Sequence, residues 1–212
     1  MITIRKIASF AIGLGLTLIV GGCVTVFPKA KPVQLYRFDA SAASAPSASG
    51  TPVSVLHAAT GFAAAAAGDR ILTATGRQAA YVADARWVSP AAVLFDEAEA
   101  RVFSTPGGAV RLVRRGQAAS APLSLRLDVQ TFEARYDQGS GGSPTVVVTV
   151  AGELTRLTDR QIVGAHVFEV RKPAAGNRVG AIVEAFDGAT SDALGQVAAW
   201  TAQQAGVVRA AP

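Results

Sequence analysis

Cysteine occurs once in the 212 residues, at Cys23, and histidine twice, at His57 and His166. One thiol excludes an intrachain disulfide and any multi-cysteine zinc or iron–sulfur site. Two imidazoles so far apart in sequence argue against a histidine-based metal cluster. Charge is also sparse, with 17% of residues charged against 50% hydrophobic, a balance that excludes disordered, collagen-like and disulfide-dense classes. The formal charge of +5 falls to +3 once Arg5 and Lys6 are set aside, and so scattered a surplus builds no nucleic-acid surface. Catalytic signatures are missing too: there is no Gly-Lys-Ser/Thr phosphate loop and no serine in a Gly-x-Ser-x-Gly elbow. The expectation is one globular domain that is not an enzyme, holds no metal and needs no cofactor beyond a covalent lipid.

What is present begins with an address. Arg5 and Lys6 precede an uncharged apolar run, Ile7 to Val20, followed by Gly21, Gly22 and Cys23. A basic start, an apolar stretch of about fourteen residues and small residues ahead of a cleavage point make a signal peptide; a spanning helix needs about twenty residues. Residues 20–23 resemble the lipobox of bacterial lipoprotein precursors, with cleavage between Gly22 and Cys23 and acylation of the Cys23 thiol. An ordinary signal peptide with an incidental cysteine is the alternative, disfavoured because the only thiol falls at this spacing. Two or more acyl chains give stable membrane anchoring. Val24, in place of the aspartate associated with inner-membrane retention, favours the periplasmic face of the outer membrane over the inner membrane.

Residues 24–32 carry two prolines and no apolar period, which suits an extended tether. Residues 33–39 alternate, with Leu35 toward one face and Tyr36 and Phe38 toward the other, predicting a strand with both faces partly buried. Residues 40–52 are low-complexity small residues, read as a flexible Ala/Ser loop inside the domain. Val53 to Leu56 starts like a strand, and residues 61–67 suggest one or two helical turns. Two extended runs, 71–75 and 78–88, flank Gly76-Arg77 as in a hairpin. Alternation in the second places Tyr81 with Trp87 on one face and Asp84 with Arg86 on the other, where the last two can pair. Ser89-Pro90 reads as an N-cap and first-turn proline, opening an amphipathic helix over 90–104 with Ala92, Leu94, Phe95, Ala98 and Val102 on its stripe.

At this point the chain resembles the ABC-type transport auxiliary lipoprotein component family. The resemblance rests on Gly68-Asp69-Arg70-Ile71, Ala80-Tyr81, Ala85-Arg86-Trp87, Pro90 and the helix after it, with Leu35-Tyr36 before and Phe132 to Tyr136 beyond. Trp87 with Arg86 is its sharpest point. It covers most of residues 33–204, and with the reading above the expected organisation is residues 1–22 as signal peptide, 23–32 as lipidated cysteine and tether, 33–206 as the auxiliary domain and 207–212 as a tail. The resemblance implies a docking role in an ATP-driven lipid or organic-solvent transporter, with a mammalian-cell-entry domain protein as partner, the membrane as support and a homo-oligomer as an open option. A lipid-binding shuttle or sensor, and a structural envelope lipoprotein, are the alternatives. Trp87, Arg86 and Tyr81 are the candidate structural or partner anchors.

The C-terminal half predicts sheet, then helix. Leu123, Leu125, Leu127 and Val129 alternate with polar residues, and Phe132, Ala134 and Tyr136 continue on the opposite parity, which suggests a bulge near Thr131. Residues 146–154 form a second strand. Residues 162–170, apolar on both parities, form a third and more central one, completing an antiparallel meander. Val179, Ile182, Val183, Phe186, Ala189, Ala193, Leu194, Val197 and Trp200 mark a long amphipathic helix over 178–204, interrupted in pattern at Gly188 and ended by Gly206. His57 and His166 read as an edge or loop histidine and a strand histidine beside a core. The fold class expected is α/β: a mixed, largely antiparallel sheet flanked by helices, in a single domain behind a lipoprotein signal peptide.

Overall fold

The computed structural model describes residues 32–40, 51–114, 116, 121–139 and 141–210. Cys23, the signal segment, the tether to residue 31 and residues 41–50 of the Ala/Ser loop lie outside the described residues. The strands are β1 Gln34–Tyr36, β2 Val53–His57, β3 Gly61–Phe62, β4 Arg70–Thr75, β5 Gln78–Trp87, β6 Val110–Val113, β7 Leu123–Arg135, β8 Thr145–Arg156 and β9 Ile162–Pro173. The helices are α1 Ala91–Phe103 and α2 Val179–Ala210. Among the described residues no helix is long and apolar enough to cross a membrane.

β7 organises the sheet. Its leucines at 123, 125 and 127 and Val129 are buried, and past the register shift between Val129 and Thr131 the burial moves to Phe132 and Ala134. The extra residue changes parity, so both halves of the strand keep their apolar side chains on one core. β8 runs antiparallel along the whole of one edge of β7. The other edge takes three short parallel strands in succession: β2 beside Leu123–Leu125, β3 beside Asp128–Val129 and β4 beside Ala134–Arg135. β6 joins β2, β5 joins β4, and β1 joins β5 at the far side of a nine-stranded mixed sheet. The long ladders are antiparallel and the short ones parallel, as the fold class expected.

Several local expectations give way. Residues 61–67 are not helical: Gly61 and Phe62 pair with β7, and residues 64–66 form a turn. A Cβ at Gly61 would meet the Asp128 carboxylate, which would have to swing aside. Ser89 does not cap α1; Pro90 is the N-cap, with no side-chain capping bond. The orphan donors at the helix start are instead met by backbone carbonyls, Ala91 N–H to Gly68 at 2.9 Å and Ala92 N–H to Ala67 at 3.2 Å. β9 is an edge strand rather than a central one, leaving Ile162 60% and Val167 55% exposed. Leu35 is likewise 62% exposed, because β1 pairs only with β5.

α2 packs on β8, β9, β7 and β6 and against α1, so both helices cover one face. It runs unbroken through Gly188 and continues past Gly206 to Ala210. A Cβ at Gly188 would stand 2.8–3.0 Å from the Lys172 side chain, whose ammonium reaches Asp192 at 2.9 Å. Trp200 lies against Gly152 and Gly164 of the meander, where added Cβ atoms would come within 3.3 Å and 3.0 Å of its ring.

The N-terminal strand is tied down by both helices. Asp187 Oδ1 accepts from the backbone N–H groups of Asp39 and Ala40 at 2.7 and 2.9 Å, and Arg101 donates twice to the Asp39 carbonyl at 2.9 and 2.7 Å. Ala40 is fully buried with φ of 34°, so this clamp holds a strained bend. Asp187→Ala removes a charged acceptor from two donors and is expected to cost about 1–2 kcal/mol in urea unfolding. A loss below about 0.5 kcal/mol would show that water replaces the carboxylate.

Candidate functional site

Trp87 ends β5 inside the core, 2% exposed. Its indole meets Phe38 at 5.2 Å and Phe186 at 5.3 Å, both edge-on, and Phe132 at 6.3 Å between ring centroids. The strand that delivers it is irregular: Arg70 pairs with Arg86 but Leu72 with Tyr81, so β5 carries extra residues against β4. Asp84 sits in that excess with φ of 55°, a left-handed conformation that aspartate tolerates better than most side chains. The irregularity separates Tyr81 from Trp87, correcting the shared face that alternation implied. Tyr81 stays at the surface, where its hydroxyl donates to the Ala65 carbonyl at 3.0 Å and its ring lies 4.2 Å from the Arg70 guanidinium. It therefore pins the 64–66 turn to the hairpin.

Arg86 does not pair with Asp84. It donates to Asp69 Oδ2 at 2.9 Å, each side chain nearly half exposed. Asp69 is also bonded through its backbone, its carbonyl accepting from Trp87 N–H at 2.7 Å. The motif residues Asp69, Arg86 and Trp87 thus form one structural joint at the entrance to α1. Since the ion pair itself is solvated, a double-mutant cycle between Asp69→Ala and Arg86→Ala is expected to give a coupling below about 1 kcal/mol. A coupling of 2 kcal/mol or more would mark the pair as a buried element of the joint.

A cavity of about 550 Å³ opens between β2, α1 and β6, lined by His57, Asp96, Glu99, Phe103, Arg111 and Arg114 among others. Its polar centre is Glu99, on the buried stripe of α1 and 1% exposed. Thr60 donates to Glu99 Oε2 at 3.0 Å, and His57 Nε2 lies 3.4 Å from Oε1. The Glu99 carboxylate holds the His57 imidazole above its usual pKa, against burial, which pulls it down. Arg114 acts in the same direction as burial, and Asp96 opposes both. His166 has no such company: it lies on exposed β9 with its ring 4.6 Å from that of Phe168.

The sequence reading missed this cluster. The apolar stripe of α1 was legible at Leu94, Phe95, Ala98 and Val102, and the carboxylate standing among them at Glu99 was the signal. Asp96 and Glu99, three residues apart, share a helix face. Separation in sequence between the two histidines said nothing about a single histidine meeting two carboxylates across β2 and α1.

Comparisons with known proteins bear on the whole domain. None of the curated proteins is similar enough in sequence to match. Among solved structures, the protein XCC0632 from Xanthomonas campestris superposes with a TM-score of 0.75 at 20% identity, covering 84% of this chain and 99% of that one. A second, an uncharacterised protein, gives 0.59 at 16% identity over 82% of this chain and 99% of its own. At these identities the likeness is one of fold. The family described as ABC-type transport auxiliary lipoprotein component matches residues 36–199, from the end of β1 to the last third of α2, and the chain belongs to it.

Proposed function

We propose that this chain is a non-catalytic docking component of an ABC-type lipid or organic-solvent transport system in the Gram-negative envelope. It is anchored through acylated Cys23 at the periplasmic face of the outer membrane and receives a mammalian-cell-entry domain protein of the same transporter. The observation that carries the reading is the family match over residues 36–199, which spans nearly all of the folded domain rather than one motif. The chemistry of the task agrees with it. Moving an acyl chain through water costs roughly 0.8 kcal/mol per CH₂, so a conduit reaching from the inner membrane gains from a receptor fixed at the far side. A domain that only positions such a conduit needs a rigid sheet and a tether, not a reaction centre.

The test is co-isolation of the full chain from detergent-solubilised envelopes, with identification of the proteins and lipids that accompany it. Recovery of a transporter subunit carrying the partner domain is expected. Lipid held at about one per chain, with no transporter subunit, would replace docking by the shuttle reading.

A further inference from the structure

His57 from the end of β2 and Asp96 and Glu99 from α1 each offer a ligand atom, all within 4.8 Å of one another. Glu99 is 1% exposed, yet its Oε1 has no hydrogen-bond donor among the described residues. A buried carboxylate oxygen left without a partner is costly, more so when charged. His57 Nε2 stands 3.4 Å away, longer than the ~2.7–2.9 Å of a charge-assisted N–H···O bond. It is the spacing of two ligands on one small ion: atoms ~2.0–2.1 Å from a tetrahedral centre are about 3.3 Å apart. Thr60 meanwhile holds Oε2 at 3.0 Å, an outer contact that orients the carboxylate.

We propose that His57, Asp96 and Glu99 bind one divalent transition-metal ion of the zinc class, with its remaining position facing the cavity. One imidazole with two carboxylates suits zinc-like ions, whereas calcium and magnesium prefer all-oxygen sites with more ligands. Arg111 and Arg114 line the same cavity. Their charge disfavours a bare dication and favours a small anion as the fourth ligand. The site rests on the local geometry alone and stands or falls independently of the docking reading.

The experiment uses the full chain in detergent with Cys23→Ser, so that no thiol contributes, stripped with chelator and titrated with Zn²⁺ by calorimetry at neutral pH in chloride buffer. About one ion per chain is expected. Asp96→Asn, a change at an exposed position that leaves the core untouched, should weaken binding tenfold or more, as should His57→Gln. His166→Ala should leave it unchanged. Co²⁺ loaded in place of zinc should show visible bands that vanish in Asp96→Asn. Two results would overturn the site: less than a tenth of an equivalent bound by the parent chain, or affinity unchanged in both ligand variants. The first would leave a protonated His57 as the partner of Glu99.

Discussion

Trp87→Ala is expected to lower the unfolding free energy by about 3–5 kcal/mol, the range for removing a large aromatic from a core that cannot collapse around the gap. The site offers little room for collapse. Phe38, Phe132 and Phe186 surround the indole from β1's extension, β7 and α2, and Phe132 is itself only 4.7 Å from Phe186 and 5.4 Å from Phe38 between centroids. Each of these rings is anchored in a different element, so closing the cavity means moving the sheet against a helix. Trp87 is also fixed at its backbone by the Asp69 carbonyl, immediately before the turn into α1. Urea melts of parent and variant measure the loss. Stability within about 1 kcal/mol of the parent would remove Trp87 from the core and return it to the role of an interface anchor. At temperatures where the variant remains folded, co-isolation of the transport partner should persist.

Patterns that depend on immediate neighbours were legible in the sequence; arrangements that depend on distant pairing were not. The parity change after Val129 announced the β7 bulge because the same apolar residues had to reach one core. The Gly76-Arg77 turn announced the β4–β5 hairpin, and Gly76 does adopt φ of 57°. By contrast, β9 looked central because it is apolar on both parities, yet a sheet covered by helices on one face lets its middle strand alternate and its edge strand carry exposed valine and isoleucine. Which strand lies at the edge is decided by β2, β3 and β4 claiming the far side of β7, and no local pattern encodes that. The hairpin's irregularity at Asp84 was hidden for a similar reason: the extra residues of β5 leave its alternation of Tyr81 with Trp87 intact in sequence, with no parity change of the kind that marked β7. Of the candidate site, Trp87 and Arg86 could be picked out from their motif, whereas the pairing of Arg86 with Asp69 instead of Asp84 could not. The His57, Asp96 and Glu99 cluster needed the fold, since β2 and α1 lie some forty residues apart in sequence and meet only when the chain is folded.

On the proposed anchoring, Cys23→Ser is expected to abolish lipid attachment altogether. The argument is one of chemistry and count. Acyl transfer at a lipobox needs a thiolate-forming sulfur, a far better nucleophile at neutral pH than a serine hydroxyl. Cys23 is the only thiol in the chain, so nothing can substitute for it. Without the acyl groups the peptidase that acts on acylated precursors has no substrate, and the apolar run from Ile7 to Val20 stays attached. The variant should therefore accumulate as a longer precursor held at the inner membrane by its uncleaved segment. Residues from Val33 onward form a compact unit of their own, so the domain of the variant should unfold in urea within about 0.5 kcal/mol of the parent. Growth with radioactive palmitate separates the two consequences: label on the parent and none on Cys23→Ser is the expected result. Equal label on both would mean that the anchor is attached elsewhere and that residues 20–23 are an ordinary cleavage site.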